Sequence, residues 1–343
     1  MTSGHRAKCL IIDAAEIRPN HDAGSRAVLD ISKVLSEIGF DVDFLWENNP
    51  YFNDVLASSD AQFAFVNRPS LFNRVYARVS EQTKIIYLAH DLHTLRLQRE
   101  LALSNRLSRA SMRAMRLIEQ IAFDKCTLAL FPTKVEADMV RATWGAKNVE
   151  QLNYFYFEPT ELSESKGKKL VFVGGQGHSP NADGVEWFIT RILPSVQSKF
   201  PDLEVVIVGS WLDDVINSAS LLGVKFTGLI DEANLSRTLA SSTIGIAPLR
   251  FGAGVKRKVL DYLNHGLPVV STSIGVEGMT DSGNPPPGVL VAETETDWIS
   301  VISRLLGSME SRRVLGLEGV RFIRANYSRE IMADKLRKLL GSI

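Results

Sequence analysis

The sequence predicts an α/β protein with two parallel-sheet domains. One opening pattern, an apolar strand, a glycine-containing loop, a helix and a second strand, starts near residue 8 and again near residue 169. Strands that alternate with helices at this spacing pair in parallel, because each helix carries the chain back across the sheet. Length agrees: 343 residues, at about 100 to 200 per domain, allow two cores. Between the two series lies a polar stretch, residues 154–169, with Pro159 and the run ESKGKK, which is linker composition.

In chain order, residues 8–14 read as a strand, 18–25 as a polar loop, 26–38 as an amphipathic helix and 40–46 as a second strand entered after a Gly39 cap. An apolar strand from residue 85 ends in His90, Asp91, Leu92 and His93. That places polar groups at the carboxyl edge of a parallel sheet, where ligands bind in open α/β folds. The second series has a strand at 169–173, a glycine-rich loop at 174–183, a helix at 184–199 and a strand at 203–208 closed by Gly209. Residues 243–249 form a short buried strand, 251–255 a loop with two glycines, 256–265 a helix and 267–272 another buried strand. Residues 284–287 are a proline-rich surface loop, and a last helix follows Tyr327 near 328–340. Both series have the organisation of Rossmann-like domains.

Composition, 45% hydrophobic and 23% charged, is that of a soluble globular protein. Lys+Arg and Asp+Glu are both 39, so no net field points to nucleic acid. Cys9 and Cys126 sit in apolar strand-like surroundings and read as core residues, with no disulfide framework or metal cluster. The N-terminal apolar run is too short for a signal peptide, and no apolar segment of about 20 residues occurs, so a cytoplasmic protein is expected. Charge is concentrated locally. Arg99, Arg106, Arg109, Arg113 and Arg116 fall within roughly 100° of arc at helical periodicity. The stripe reads either as a contact for anionic lipid or a lipid-linked acceptor at a membrane, or as a solvated face partly neutralised by Glu100 and Glu119.

Residues 243–279 carry the chemistry. Gly252 and Gly254 precede a helix whose first N–H groups are unpaired and whose dipole favours negative charge, an arrangement suited to a pyrophosphate. Lys256, Arg257 and Lys258 add charge. Lys258 and Asp261 stand three apart, so an ammonium for phosphate and a carboxylate for sugar hydroxyls can share a helix face. The same stretch also reads as an ordinary βαβ unit with a solvated basic helix end.

These residues resemble the donor-binding region of GT-B glycosyltransferases, in particular glycosyltransferase family 4. The matching positions are Gly252, Gly254, Lys258, Asp261 and the run Gly266, Leu267, Pro268, Val269 and Val270. The family's two glutamates, eight positions apart, are replaced by Ala253 and Asp261. The resemblance implies that Gly252, Ala253, Gly254, Val255, Lys256 and Asp261 line the donor site. It also implies two parallel-sheet domains facing across a cleft: an acceptor-side domain at 1–160, a nucleotide-sugar domain at 161–326 and a helix at 327–343 that crosses back.

Other segments are similar to the same family. Residues 172–194 resemble a subgroup with a P-N-x-D-G turn, in which Asn181 and Asp183 would cap the helix while Gly174, Gly175 and Gly177 bring N–H groups to the phosphates. The family's usual arginine and lysine are absent from this loop. That leaves Lys258 with Lys256 or Arg257 as cations; His178 reads either as a substitute or as a plain loop residue. Leu229 and Ile230 match the place where main-chain groups hold the base. In the first half, His90 matches a histidine that contacts the donor sugar, with His93 beside it, and Gly24 and Ser25 match an acceptor-side glycine loop. Arg26 reads equally as part of that loop or as a solvated first-turn residue.

No cluster of acidic residues or histidines has metal-ligand spacing, so no bound metal is expected. The resemblance implies a glycosyltransferase that retains anomeric configuration and has His90 and Lys258 as catalytic residues. Its co-substrate would be a UDP- or GDP-sugar, its acceptor a glycan or lipid-linked molecule, and its role polysaccharide biosynthesis, with the chain cytoplasmic or peripheral at the inner membrane face. A nucleotide-sugar epimerase-like enzyme and a catalytically silent binding subunit use the same fold and stay open.

Overall fold

The structure is a computed structural model that describes residues 6–18, 22–103, 109–160 and 167–343. The chain forms two compact units. One comprises Met1–Tyr156, Ala253–Val255 and Tyr327–Ile343, the other Phe157–Gly252 and Lys256–Asn326.

The first unit has strands β1 (Lys8–Asp13), β2 (Asp41–Trp46), β3 (Phe63–Asn67), β4 (Lys84–Leu88), β5 (Leu128–Phe131) and β6 (Val149–Gln151). They pair in parallel in the order β2-β1-β3-β4-β5-β6. The inner strands β1, β3, β4 and β5 are buried apolar runs, as in a parallel sheet covered on both faces, whereas the edge strands β2 and β6 are more polar and exposed. Leu10, Ile12, Val66, Phe72, Tyr87, Phe123 and Phe131 form its core. The chain runs from β1 outward to β2, then returns past β1 to β3, so the carboxyl ends of β1 and β3 flank a topological switch point.

Helix Ala23–Glu37 begins three residues before the expected start because Asp22 is its N-cap, with the Asp22 side chain accepting from the Ser25 N–H at 2.8 Å. Gly24 and Ser25 therefore lie in the first helical turn rather than in a loop, and the Ser25 N–H is already engaged. The arginine stripe is corrected as well. Arg99 belongs to helix His93–Leu103, whereas Arg109, Arg113 and Arg116 belong to a separate helix, Arg109–Lys125; Arg106 lies outside the described residues. Tyr154, expected in the linker, is 1% exposed and its hydroxyl donates to the Leu130 carbonyl. The final helix, Arg329–Gly341, is capped by Ser328, and Arg329 pairs with Glu37 of the first helix at 2.8 Å.

The second unit has β7 (Lys169–Val173), β8 (Glu204–Val208), β9 (Val224–Phe226), β10 (Ile244–Ala247), β11 (Val269–Ser271) and β12 (Val289–Val291). All pair in parallel in the order β12-β11-β10-β7-β8-β9. Its switch point lies between β7 and β10, with the 174–178 loop after one and the 248–252 loop after the other. Phe172, Phe188, Ile207, Trp298 and Ile302 pack in its core.

The helix expected at 184–199 begins at Ser179, contains a π-helical turn at Phe188–Ile192 and resumes at Leu193–Lys199. Pro194 accounts for the irregular turn, since it lacks an N–H and crowds the carbonyl one turn back. Asn181 and Asp183 thus lie inside the helix and do not cap it. Gly245 on β10 admits the Tyr262 ring, since a Cβ there would lie 2.3 Å from Cδ2. The Tyr262 hydroxyl accepts from the Val173 N–H at 2.8 Å, which anchors helix Arg257–Asn264 to β7 and β10.

Candidate functional site

At the switch point of the second unit, Gly174 follows β7 with φ +154°. A Cβ there would lie 2.6 Å from Asn181 Nδ2 and 3.0 Å from Lys258 Nζ, so only glycine leaves room for both groups. The Asn181 amide donates to the Gly175 carbonyl at 2.9 Å, and its oxygen accepts from Lys258 Nζ at 2.6 Å. Lys258 also lies over the Phe172 ring, 3.9 Å from its centre. Burial pushes the pKa of this ammonium well below the ordinary lysine value, and the charge of Lys256 adds to the shift.

Lys256 is 8% exposed and closes on Gly252, where a Cβ would lie 3.8 Å from its Nζ. Two cations therefore converge with two glycine segments. Asp261, expected to share a helix face with Lys258 toward one ligand, has a cationic partner on its own helix. Arg257 takes Asp261, Nη2 to Oδ1 at 3.3 Å, and stacks on Phe157 at 5.2 Å. Gly177 and His178 are exposed, with His178 the residue before the helix. Leu229 is exposed beside Gly228, whose carbonyl accepts from the Gly209 N–H at 3.0 Å. Asp183 binds Arg250 at 2.8 Å.

At the switch point of the first unit, Asp13 ends β1 and accepts from the Ala14 N–H at 2.6 Å and Arg68 Nε at 3.4 Å. Burial raises its pKa against the opposing effect of Arg68. Arg68 has φ 66° and ψ 131°. The following Pro69 favours the extended ψ, but the positive φ is strained for an arginine, and such strain gathers at functional sites. His90 Nε2 lies 3.0 Å from Asn67 Oδ1, and Gly24 faces the His90 ring. Burial first, then Arg68, pushes the His90 pKa down to about 4. His93 and Arg96 both bind Asp91, at 3.0 Å and 2.6 Å.

Two carboxylates that the sequence reading did not place in these roles organise this edge. Glu119 is 1% exposed and accepts from the N–H groups of His93 and Thr94 at 2.7 Å and 3.1 Å, satisfying the start of helix His93–Leu103. It does not neutralise a solvated stripe. Thr133 caps the following helix, its hydroxyl accepting from the Glu136 N–H at 3.0 Å and donating to Glu136 Oε2 at 2.8 Å, and Glu136 accepts through Oε1 from the N–H of Leu92 at 2.8 Å and of Gly254 at 3.0 Å. Ala253 packs on the first unit's core, and Val255 completes this short segment. The capping-box spacing T-x-x-E is visible in the sequence; the two distant N–H groups are not.

Among the described residues no group of three or more His, Cys, Asp or Glu side chains is placed to hold a metal ion, and no helix is long and apolar enough to cross a membrane.

Residues 167–308 match the family described as glycosyl transferases group 1. The chain is 26% identical over 215 residues to an uncharacterized 44.6 kDa protein in the cps region of Klebsiella pneumoniae, covering 60% of this chain and 53% of that protein. It is 28% identical over 166 residues to the GDP-mannose-dependent monoacylated alpha-(1-6)-phosphatidylinositol monomannoside mannosyltransferase of Corynebacterium glutamicum, covering 45% and 43%. The chain thus spans about half or less of the length of these relatives. Among solved structures, sucrose-phosphate synthase from Thermosynechococcus elongatus superposes with a TM-score of 0.76 at 14% identity, covering 98% of this chain and 99% of that one. Anabaena HepE in complex with UDP-glucose gives 0.72 at 13%, covering 98% and 100%.

The fold is that of the GT-B glycosyltransferases. The chain resembles the glycosyl transferases group 1, the family whose model matches residues 167–308.

Proposed function

We propose that the protein is a glycosyltransferase that moves a sugar from a UDP- or GDP-sugar to a glycan or lipid-linked acceptor, with retention and without a bound metal. The observation that carries this reading is Lys258. Its ammonium is held beside Gly174 and Asn181 with a depressed pKa, and a buried cation met by neutral groups favours an anionic ligand. A pyrophosphate fits, with Lys256 and the Gly175 N–H adding donors, while the Gly174 N–H is taken by the Val208 carbonyl at 2.8 Å.

In this reading Asp261 accepts from the ribose hydroxyls and main-chain groups near Leu229 hold the base. Gly177 and His178 form the rim. Lys258 stabilises the charge that grows on the leaving nucleoside diphosphate as the glycosidic bond breaks. His90 meets the donor sugar, while Gly24, Ser25 and His93 serve the acceptor side. The second unit would bind the donor and the first the acceptor. The matched relative that uses GDP-mannose and the UDP-glucose complex of HepE support a nucleotide sugar and leave the base open.

We also propose a peripheral contact with anionic lipid at the inner membrane face. Arg109, Arg113 and Arg116 share about 60° of helix arc at 100° per residue, beside Leu117, which is 67% exposed, and Ile121. A relative acting on a phosphatidylinositol mannoside supports this.

Incubation with UDP- and GDP-sugars, following nucleoside diphosphate release, tests the assignment. Slow hydrolysis of one donor is expected. An altered sugar still attached to its nucleotide would make the protein an epimerase, and binding without turnover of donor and acceptor panels would make it a silent subunit.

A further inference from the structure

Asn67 is the last residue of β3, fully buried at the switch point of the first unit. Its Nδ2 donates to the Ile12 carbonyl at 3.2 Å. That bond fixes the amide orientation, because a flipped amide would set its oxygen against another carbonyl oxygen. Oδ1 is therefore the atom 3.0 Å from His90 Nε2. An amide oxygen only accepts, so Nε2 carries the proton. A neutral imidazole has one ring proton, so Nδ1 carries a lone pair.

The edge contact with Tyr154, ring centres 5.9 Å apart at 87°, holds the ring plane. Arg68 and His93 disfavour a charged ring, whereas Asp22 and Asp91 favour it, and burial outweighs them. We propose that Asn67 is a positioning residue that fixes His90 as the Nε2–H tautomer, so that Nδ1 accepts a hydrogen bond from a substrate sugar hydroxyl. The proposal rests on the glycosyltransferase reading and adds a specificity: the sugar must offer a free hydroxyl to that nitrogen. A deoxy or O-methyl sugar cannot donate there, and a site with an unmet polar group rejects such analogues.

The test starts with the full chain labelled with 15N-histidine. Long-range 1H–15N spectra at pH 7, with the His90 signal assigned by its loss in His90→Gln, should show the Nε2–H pattern. An Nδ1–H or doubly protonated ring would overturn the proposal. Asn67→Leu should give a mixed tautomer and lower kcat for sugar release by about tenfold, with a smaller change in KM. If that variant does not fold, Asn67→Val, a smaller β-branched strand former with no acceptor, takes its place. A folded variant with the wild-type tautomer, or with wild-type kcat despite a mixed tautomer, would also refute the role. The tautomer is read without turnover, so an inactive wild type would count against the glycosyltransferase reading alone.

Discussion

The ammonium of Lys258 lies 3.9 Å from the centre of the Phe172 ring. An aromatic face and the Asn181 oxygen meet this cation, and both are uncharged. Burial and the nearby Lys256 hold the lysine pKa well below its ordinary value, and an arriving pyrophosphate would raise it again. Between the free and bound pKa values the complex holds a proton that the free protein does not. Binding then takes up a proton, and affinity falls as pH rises through that window. Calorimetry with a nucleotide sugar in buffers of different ionisation enthalpy should show this uptake, and Lys258→Met should remove it. Equal heats in all buffers for the wild type would mean that Lys258 does not change its charge on binding.

Lys258→Met should also separate chemistry from binding. If the ammonium meets charge that grows in the transition state, kcat falls by more than KM rises. A raised KM with unchanged kcat would make Lys258 a binding residue only.

Asp261→Ala removes the acceptor oxygens together with the charge that pairs with Arg257. If Asp261 accepts from the ribose, nucleotide affinity should weaken by about 1.5 to 3 kcal/mol, the range for a hydrogen bond to a charged group. Unchanged affinity by calorimetry would take Asp261 out of the site.

The strand and helix alternation was legible because continuous apolar runs and amphipathic periods are local features. So was the glycine loop before the basic helix. Helix starts were less legible: Asp22 captures the Ser25 N–H and draws Gly24 into the helix, a choice made by one side chain. The partners of Lys258 were hidden for another reason. Asn181 is 77 residues away and has the residue type of a cap, so only the folded chain reveals its amide bridging Gly175 and Lys258. Arg68 gave one local hint, the proline after it, and Asn67 a second, a polar end to the otherwise apolar strand FAFVN.

His90 makes stability depend on pH. Its pKa is about 4 in the folded protein against 6.5 ordinarily, so between these values the unfolded chain binds a proton that the folded chain refuses. Stability from this group is present above the upper value and lost as pH falls, by about 2 kcal/mol at pH 5. Asp13 and Glu119, whose pKa values are raised by burial, act in the opposite sense and offset part of the loss. In denaturant unfolding, the drop in stability from pH 7 to pH 5 should be smaller in His90→Gln by about that amount. The same drop in both proteins would show that His90 does not carry it.

Glu136 offers the clearest test of how the first unit holds its functional edge. One oxygen, Oε1, receives the N–H groups of Leu92 and Gly254, and the residue is 2% exposed. Removing the carboxylate leaves two donors without this acceptor, at a cost of about 2 to 6 kcal/mol for two buried groups. Glu136→Gln keeps an oxygen for both, and the Thr133 hydroxyl can reverse its role and accept from the new amide. Hydrogen exchange of peptides covering residues 89–95 and 250–256 should therefore quicken in Glu136→Ala and stay near wild type in Glu136→Gln. Thermal unfolding should fall in the same order. Unchanged exchange at both segments in Glu136→Ala would mean that other groups hold these amides and that Glu136 does no more than cap its own helix.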